Sequence, residues 1–147
     1  MQKRKIEDKN KIDQYNKWID LIESCIERMA NNSFQIKKWA MAVVLAVIAL
    51  IPEKTSVNPK TVIVCIGIGI LAFWGLDSYY LMLERAFKDK YINVIKYMDD
   101  NLERKETMLS LKTERSFCKF IESMFRPVEV GFYSVLLSIC VIAFLVL

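Results

Sequence analysis

The sequence predicts an all-α integral membrane protein with three transmembrane helices and a cytoplasmic helical hairpin or bundle. The 147 residues are 54% hydrophobic, which is too apolar for an ordinary soluble domain of this size. The apolar residues are concentrated at residues 39–52, 61–83 and 131–147, and most of the charged residues lie between or before these blocks. This separation is expected when lipid solvates one part of a chain and water the other.

The order of these blocks predicts four regions. Residues 1–37 form a cytoplasmic amphipathic helix, 38–83 a transmembrane hairpin of two spans, 84–127 a cytoplasmic stalk with amphipathic helices, and 128–147 a carboxy-terminal transmembrane helix. Within the first region apolar residues recur at three- and four-residue steps, at Tyr15, Trp18, Ile19, Ile22, Cys25, Ile26 and Met29. The run Asn31-Asn32-Ser33 has poor helix propensity and predicts a break before the first span.

The three apolar blocks differ in length. Block 39–52 has 14 residues, short of the roughly 20 that a perpendicular helix needs, so a buried soluble helix is its alternative. Lys37, Lys38 and Trp39 favour a span, because they suit an interface. Block 61–83 has 23 residues with Asp77 as its only charge, which we expect to be partly wet near an aromatic belt of Trp74, Tyr79 and Tyr80. Block 131–147 has 17 residues without a charge.

Two further apolar patterns lie between the second and third blocks. The first predicts a stalk helix that continues from the membrane: Leu83, Phe87, Tyr91, Ile95, Met98 and Leu102. The second, from Met108 to Phe125, predicts an amphipathic piece on the membrane surface or against the stalk. The stalk and the helix at residues 15–29 are expected to pack on each other, and the alternative is that they dock a partner protein. The residues that represent these cytoplasmic faces are Trp18, Ile22, Phe87 and Tyr91.

The distribution of basic residues along the chain predicts its orientation in the membrane. Nine Lys and Arg precede Trp39 and ten lie between Arg85 and Arg126, against two in the loop between the first two blocks. Because basic residues are retained on the cytoplasmic side, the amino terminus and the central segment are expected inside and Leu147 outside.

The composition argues against most catalytic and nucleic-acid-binding classes. The chain has no histidine, and its four cysteines form no CxxC or CxxH spacing, so we expect free thiols, no metal and no cofactor. No phosphate-binding loop or nucleophile arrangement is present, which makes a membrane-embedded enzyme the third and least favoured class. The net charge of +4 is modest and interleaved with acids, which does not favour nucleic acid as a partner.

Asp77 is the sharpest candidate for a functional residue. An ionisable group in the bilayer usually faces a bundle interior, a partner or a water-filled cavity, although an Asp among headgroups is an equal alternative. Glu84 lies seven residues further on the same helix face, so an oligomer could stack both acids as rings along a cation path. The alternative is a solvated helix start at which Arg85 meets lipid phosphate.

Small residues predict close helix packing, within one chain or between chains. Four-residue spacing occurs twice, and glycines thin the second block; the candidates are Ala42, Ala46, Gly67, Gly69, Ser134 and Ser138.

The stretch FWGLDSYYLMLERAF at residues 73–87, preceded by an amphipathic helix and a close pair of spans, resembles the small SLATT-type and related two-transmembrane effectors of bacterial defence systems. The resemblance covers roughly residues 15–100, and the block at 131–147 is extra to that layout. It implies a protein of the bacterial inner membrane that oligomerises and permeabilises it when a sensor or signal-producing enzyme is triggered. It also implies a pore mouth or gate at Asp77, Tyr80, Glu84 and Arg85.

The leading hypothesis is therefore a self-associating membrane effector whose second span lines a pore and whose cytoplasmic helices hold it closed. Its expected partners are membrane lipid, further copies of itself and a sensor or signal-producing protein. The main alternative is a non-conducting adaptor or regulator that recruits a partner through its cytoplasmic helices.

Overall fold

Four helices account for the architecture. A computed structural model describes residues 2–50, 58–100 and 116–146, with side chains at 12–49, 58–95 and 116–146. Helix α1 covers Gln2–Leu50, α2 covers Pro59–Asp100, α3 covers Phe117–Met124 and α4 covers Pro127–Val146. No described residue lies in a strand, so the all-α fold class is confirmed for this part of the chain.

Helices α1 and α2 form a long antiparallel hairpin. Contacts between them run in opposite order along the two helices: Glu23 meets Tyr91, and Lys37 meets Asp77. Helix α4 lies antiparallel to α2, since Tyr133 near its start reaches Asp77 and the ring of Phe144 near its end contacts Lys60. The short α3 packs on α2, where the Trp74 indole Nε1 donates to the Met124 carbonyl over 3.1 Å.

One core lies where α1, α2 and α4 meet. Each helix contributes a stripe at three- or four-residue spacing, and the buried members are Ala40, Val44, Ile63, Ile66, Ile70, Tyr133, Leu136 and Cys140. The outside of the same region is also apolar, with exposed side chains at Trp39, Leu45, Ile68, Leu71, Val135, Val141, Ile142 and Leu145. Helices that are apolar on every face are typical of a bundle surrounded by lipid.

Two helices, and not the expected three, are long and apolar enough to cross a membrane in the described part of the chain. They are Pro59–Ile95 and Pro127–Val146, and only 22% of the apolar window of each is buried inside the structure. In α1 the uncharged run begins after Lys38 and continues for 12 residues, to the end of the described helix at Leu50. At 1.5 Å per residue this is about 18 Å, shorter than a hydrocarbon layer of about 30 Å.

Three local expectations change. No break occurs at Asn31-Asn32-Ser33, because α1 is one helix of 49 residues and the buried Ser33 side chain bonds to α2, which outweighs the low propensity. Helix α4 begins at Pro127, four residues before the predicted block, with proline in the first helical position where its missing N–H is harmless. The second amphipathic piece is helical from Phe117, and Met108 and Leu111 lie outside the described residues.

Replacement of a core isoleucine tests this packing. Ile70→Ala should lower the free energy of unfolding in detergent by about 2 kcal/mol or more, because Ile70 is 1% exposed in the shared core and its removal leaves a cavity. The matched control is Ile68→Ala on the same helix, where the side chain is 64% exposed. Equal losses in the two variants, measured by chemical unfolding in micelles, would contradict the core described above.

Candidate functional site

A cluster of polar side chains, all buried except one lysine whose side chain is 18% exposed, lies where α1, α2 and α4 come together. We call it the polar cluster; it consists of Ser33, Lys37, Asp77, Glu129 and Tyr133. Its centre is the Lys37 ammonium, whose Nζ lies 2.6 Å from Asp77 Oδ2 and 2.9 Å from Glu129 Oε1. The same Nζ donates to Ser33 Oγ one turn earlier on α1, over 3.1 Å. One lysine of α1 thus joins a carboxylate of α2 to a carboxylate of α4.

Asp77 is enclosed completely, and the expectation that it is partly wet is wrong. Asp77 is 0% exposed, and both oxygens of its carboxylate have hydrogen-bond or ion-pair partners. Ser33 donates its hydroxyl to Oδ1, and Tyr133 donates to Oδ2 over 3.0 Å beside the Lys37 ammonium. A charge removed from water is tolerated when it is paired and hydrogen-bonded in this way. Asp77 therefore ties three helices together inside one chain.

Glu129 is the least satisfied member of the cluster. It is 3% exposed, Oε1 binds Lys37, and Oε2 has no hydrogen-bond partner among the described residues. The cluster holds two carboxylates and one ammonium, so with both acids ionised it carries one net negative charge. A buried polar atom without a partner is uncommon and marks a site at which a further group can bind or a rearrangement can occur.

Aromatic rings cover one side of the cluster. The Trp74 ring stacks on Tyr133 with centroids 5.8 Å apart, and Phe132 meets Tyr133 edge-on at 5.1 Å. The neighbouring Ser78 is also fully buried and donates its hydroxyl to the Trp74 carbonyl over 2.7 Å. These contacts exclude water from the Asp77 carboxylate, and they strengthen its ion pair by lowering the local dielectric.

The other predicted gate residues do not join the polar cluster. Glu84 pairs with Lys88 on its own helix, and Arg85 Nη1 lies 3.0 Å from Glu122 Oε1 of α3. Tyr80 is half-buried, and its ring meets that of Tyr79 at 5.9 Å. Asp77 and Glu84 are seven residues apart in the continuous helix α2 and so share one helix face, but Asp77 is buried between helices while Glu84 pairs with Lys88. Within one chain they do not line a common path.

The helix-packing candidates lie away from the core. Ala42, Ala46, Ser134 and Ser138 are exposed, and the two serines donate their hydroxyls to carbonyls of their own helix. At Gly67 and Gly69, a Cβ atom would meet no neighbouring atom within 4 Å. None of the six supports a close helix contact within the described part of the chain, which leaves contact between chains as the open alternative.

The cytoplasmic candidates lie on the α1–α2 hairpin. Ile22 is 1% exposed, and Trp18 and Phe87 are half-buried. The Tyr91 hydroxyl donates to Glu23 Oε1 over 2.9 Å. Ile22 and Tyr91 therefore contribute to the pairing of the two helices, which leaves less of their surface for a partner protein.

Sequence reasoning found Asp77 but missed its partners. Lys37 was interpreted as a residue that reaches the interface, Ser33 as part of a helix break, and Glu129 and Tyr133 were not singled out. One signal was available: Glu129 is the only charge after Arg126, and Tyr133 follows it by one helical turn. An acid at the start of a span needs a cation, and Lys37 is the basic residue at the matching end of the first block.

The described residues include no group of three Cys, Asp or Glu side chains that could hold a metal ion. Comparisons of the chain with protein families, with curated proteins and with solved structures find no significant match. The polar cluster itself is therefore the basis for a functional proposal, and the likeness to bacterial effectors stays a prediction.

Removal of the central cation tests the cluster. Lys37→Met should lower the free energy of unfolding by roughly 3 kcal/mol, because it leaves two buried carboxylates without a counter-charge. Lys38→Met is the matched control, since Lys38 is exposed and its Nζ contacts only the ring of Phe34, at 4.3 Å from the centroid. Adding Asp77→Asn to Lys37→Met should recover part of the loss in chemical unfolding, and a strictly additive double variant would show that the pair is not coupled.

Proposed function

We propose that this protein is a self-associating membrane effector that forms a cation-conducting pore, and that the polar cluster holds the pore closed. The observation that carries the proposal is a pair of buried carboxylates, Asp77 and Glu129, neutralised by a single lysine at one end of an apolar three-helix bundle. Ionisable groups at membrane depth are costly, and they are usually functional.

The surface of the bundle supports the membrane placement. Two helices satisfy the length and hydropathy of a span, and the residues around them are apolar on the outside. The end of α1 runs beside these spans as a third helix, since Ala40 and Val44 share their core. The basic residues favour a cytoplasmic amino terminus and central segment.

The excess of one carboxylate over the single ammonium of the polar cluster suggests how the proposed pore is opened and closed. While Lys37 holds both acids, no carboxylate is available to an ion. If α1 withdraws Lys37, the acids of α2 and α4 are left to each other and attract cations and water into the space between the helices. The cytoplasmic half of α1 is where a sensor or signal-producing partner would act, as the resemblance to defence effectors implies.

Self-association is supported by the position of the small residues. Ala42 with Ala46 and Ser134 with Ser138 are exposed at four-residue spacing on helices whose surroundings are apolar. Small residues at this spacing let helices of neighbouring chains approach closely.

A non-conducting adaptor is the second candidate, and one observation favours it. Apolar side chains stay exposed on the cytoplasmic part of the hairpin, at Ile12, Leu21, Ile92 and Ile95. A partner helix could cover them.

The pore proposal predicts leakage when the cluster is opened. In liposomes containing the purified protein, Lys37→Met should raise cation leakage by about tenfold, the effect of moving the closed–open equilibrium by about 1.4 kcal/mol. Lys37→Met combined with Asp77→Asn and Glu129→Gln should return leakage toward that of the unmodified protein, because the acids that attract cations are gone. Lys38→Met serves as the control and should leave leakage unchanged.

Two results would count against a pore. If the triple variant leaks as much as Lys37→Met, the leak comes from loosened packing and not from an acidic path. If Lys37→Met assembles normally and stays impermeable to both cations and a small dye, the adaptor is favoured. Substitutions at Ile92 and Ile95 that abolish partner recruitment would then support it.

Self-association has its own test. Ala42→Leu should reduce the mass of the detergent-solubilised assembly, measured by light scattering, while the unfolding midpoint stays unchanged because Ala42 is exposed within its own chain. Val43→Leu is the control, on a neighbouring face that is also exposed. An unchanged mass for Ala42→Leu, or an equal loss in both variants, would show that Ala42 does not mark the contact.

A further inference from the structure

A cavity of about 240 Å³ lies between α2 and α3, apart from the polar cluster. Helix α2 contributes Arg85 and Asp89 to its wall, and α3 contributes Lys119, Glu122 and Ser123. Since one water takes up about 30 Å³ of liquid, the cavity has room for a group of several non-hydrogen atoms. Its lining is mainly charged, which indicates a polar occupant.

Ser123 is the first sign of a missing partner in this cavity. The residue is 0% exposed, and its Oγ forms no hydrogen bond with any described group. A hydroxyl removed from water without a hydrogen bond is unfavourable, and serine can both donate and accept. Because Ser123 lines the cavity, rotation about its Cα–Cβ bond would turn the hydroxyl toward a ligand oxygen there.

Two of the four charged side chains that line the cavity form an ion pair with each other. Arg85 and Glu122 neutralise each other across the two helices, with Nη1 and Oε1 3.0 Å apart. Lys119 and Asp89, at the solvent-exposed rim of the cavity, have no ion pair with another residue in the described ranges. One cation and one anion therefore remain for a ligand, and this combination complements a zwitterion.

The cavity lies at the end of the bundle where α4 begins and where the apolar block of α2 gives way to charged residues. Arg85 follows the apolar block of α2 by two residues, and α3 immediately precedes α4. The aromatic rings of Phe117 and Phe125 are 76% and 63% exposed, as in a short amphipathic helix that lies on a membrane surface. In the membrane placement proposed above, the cavity is level with the lipid headgroups.

We propose that this cavity binds the phosphoethanolamine headgroup of a membrane lipid. The phosphate accepts hydrogen bonds from the Lys119 ammonium and the Ser123 hydroxyl, and the headgroup ammonium donates to the Asp89 carboxylate. A choline headgroup has no N–H to donate to Asp89, and a glycerol headgroup has no cation for it. The proposal rests on the membrane placement of the proposed function and does not depend on conduction.

The test is lipid retention measured by native mass spectrometry on the full-length protein from nanodiscs. The lipids are phosphatidylethanolamine, phosphatidylcholine and phosphatidylglycerol, each mixed with the same background lipid, and a separate sample receives free phosphoethanolamine in detergent. Phosphatidylethanolamine should be retained over the other two by about tenfold. Lys119→Gln and Asp89→Asn should each remove most of this preference, and Ser123→Ala should weaken it. Lys38→Gln, an equal charge change on exposed surface, should retain it.

Several outcomes would overturn the proposal. Equal retention of the three lipids, or a preference that survives Lys119→Gln together with Asp89→Asn, would show that the cavity does not select the headgroup. Binding of free phosphoethanolamine without any lipid preference would overturn the lipid source in favour of a soluble ligand. A protein that enters none of the bilayers would overturn the membrane placement as well, whereas entry without preference would overturn the headgroup site alone.

Discussion

The ammonium group of Lys37 determines how the three long helices can sit together. It lies within 3 Å of carboxylates from two other helices, in a region whose core and outer surface are both apolar. It supplies the only ion-pair partner that either acid has among the described residues, so it offsets much of the cost of burying them between the helices. The apolar stripes repeat along each helix, and the ion pairs add contacts that are specific to one register of α1 against α2.

Two aromatic residues, Trp74 and Tyr133, lie beside the ion pair of Lys37 with Asp77 and support it. Trp74 both stacks on Tyr133 and donates to the backbone at the end of α3, so the wall of the polar cluster and the anchor of α3 share one side chain. Tyr133 in turn presents its hydroxyl to Asp77. The polar cluster and the α2–α3 contact are consequently parts of one connected region of the protein.

Much of this fold is local and could be predicted from the sequence. The helical class, the two long apolar helices and the pairing of the amphipathic stretches follow from spacing within single helices. Asp77 was identifiable because a charge inside an apolar block is conspicuous.

The surroundings of Asp77 could not be predicted from the sequence, because Ser33 and Glu129 are 44 and 52 positions away and only the antiparallel arrangement of the helices brings them together. Lys37 was misjudged for the same reason: a lysine beside a span looks like an interface anchor until its partners are known. The continuity of α1 depended on tertiary contacts that outweigh weak propensity at Asn31 and Asn32.

Helix α1 has a mechanical property that follows from its continuity. From Gln2 to Leu50 it contains neither glycine nor proline, and at 1.5 Å per residue it is about 74 Å long. Without glycine or proline the helix has no residue that favours a sharp kink, so a rotation or shift imposed on its amino-terminal half would be passed along the helix toward Lys37. The polar cluster is therefore connected to the amino-terminal end of α1 along one continuous helix.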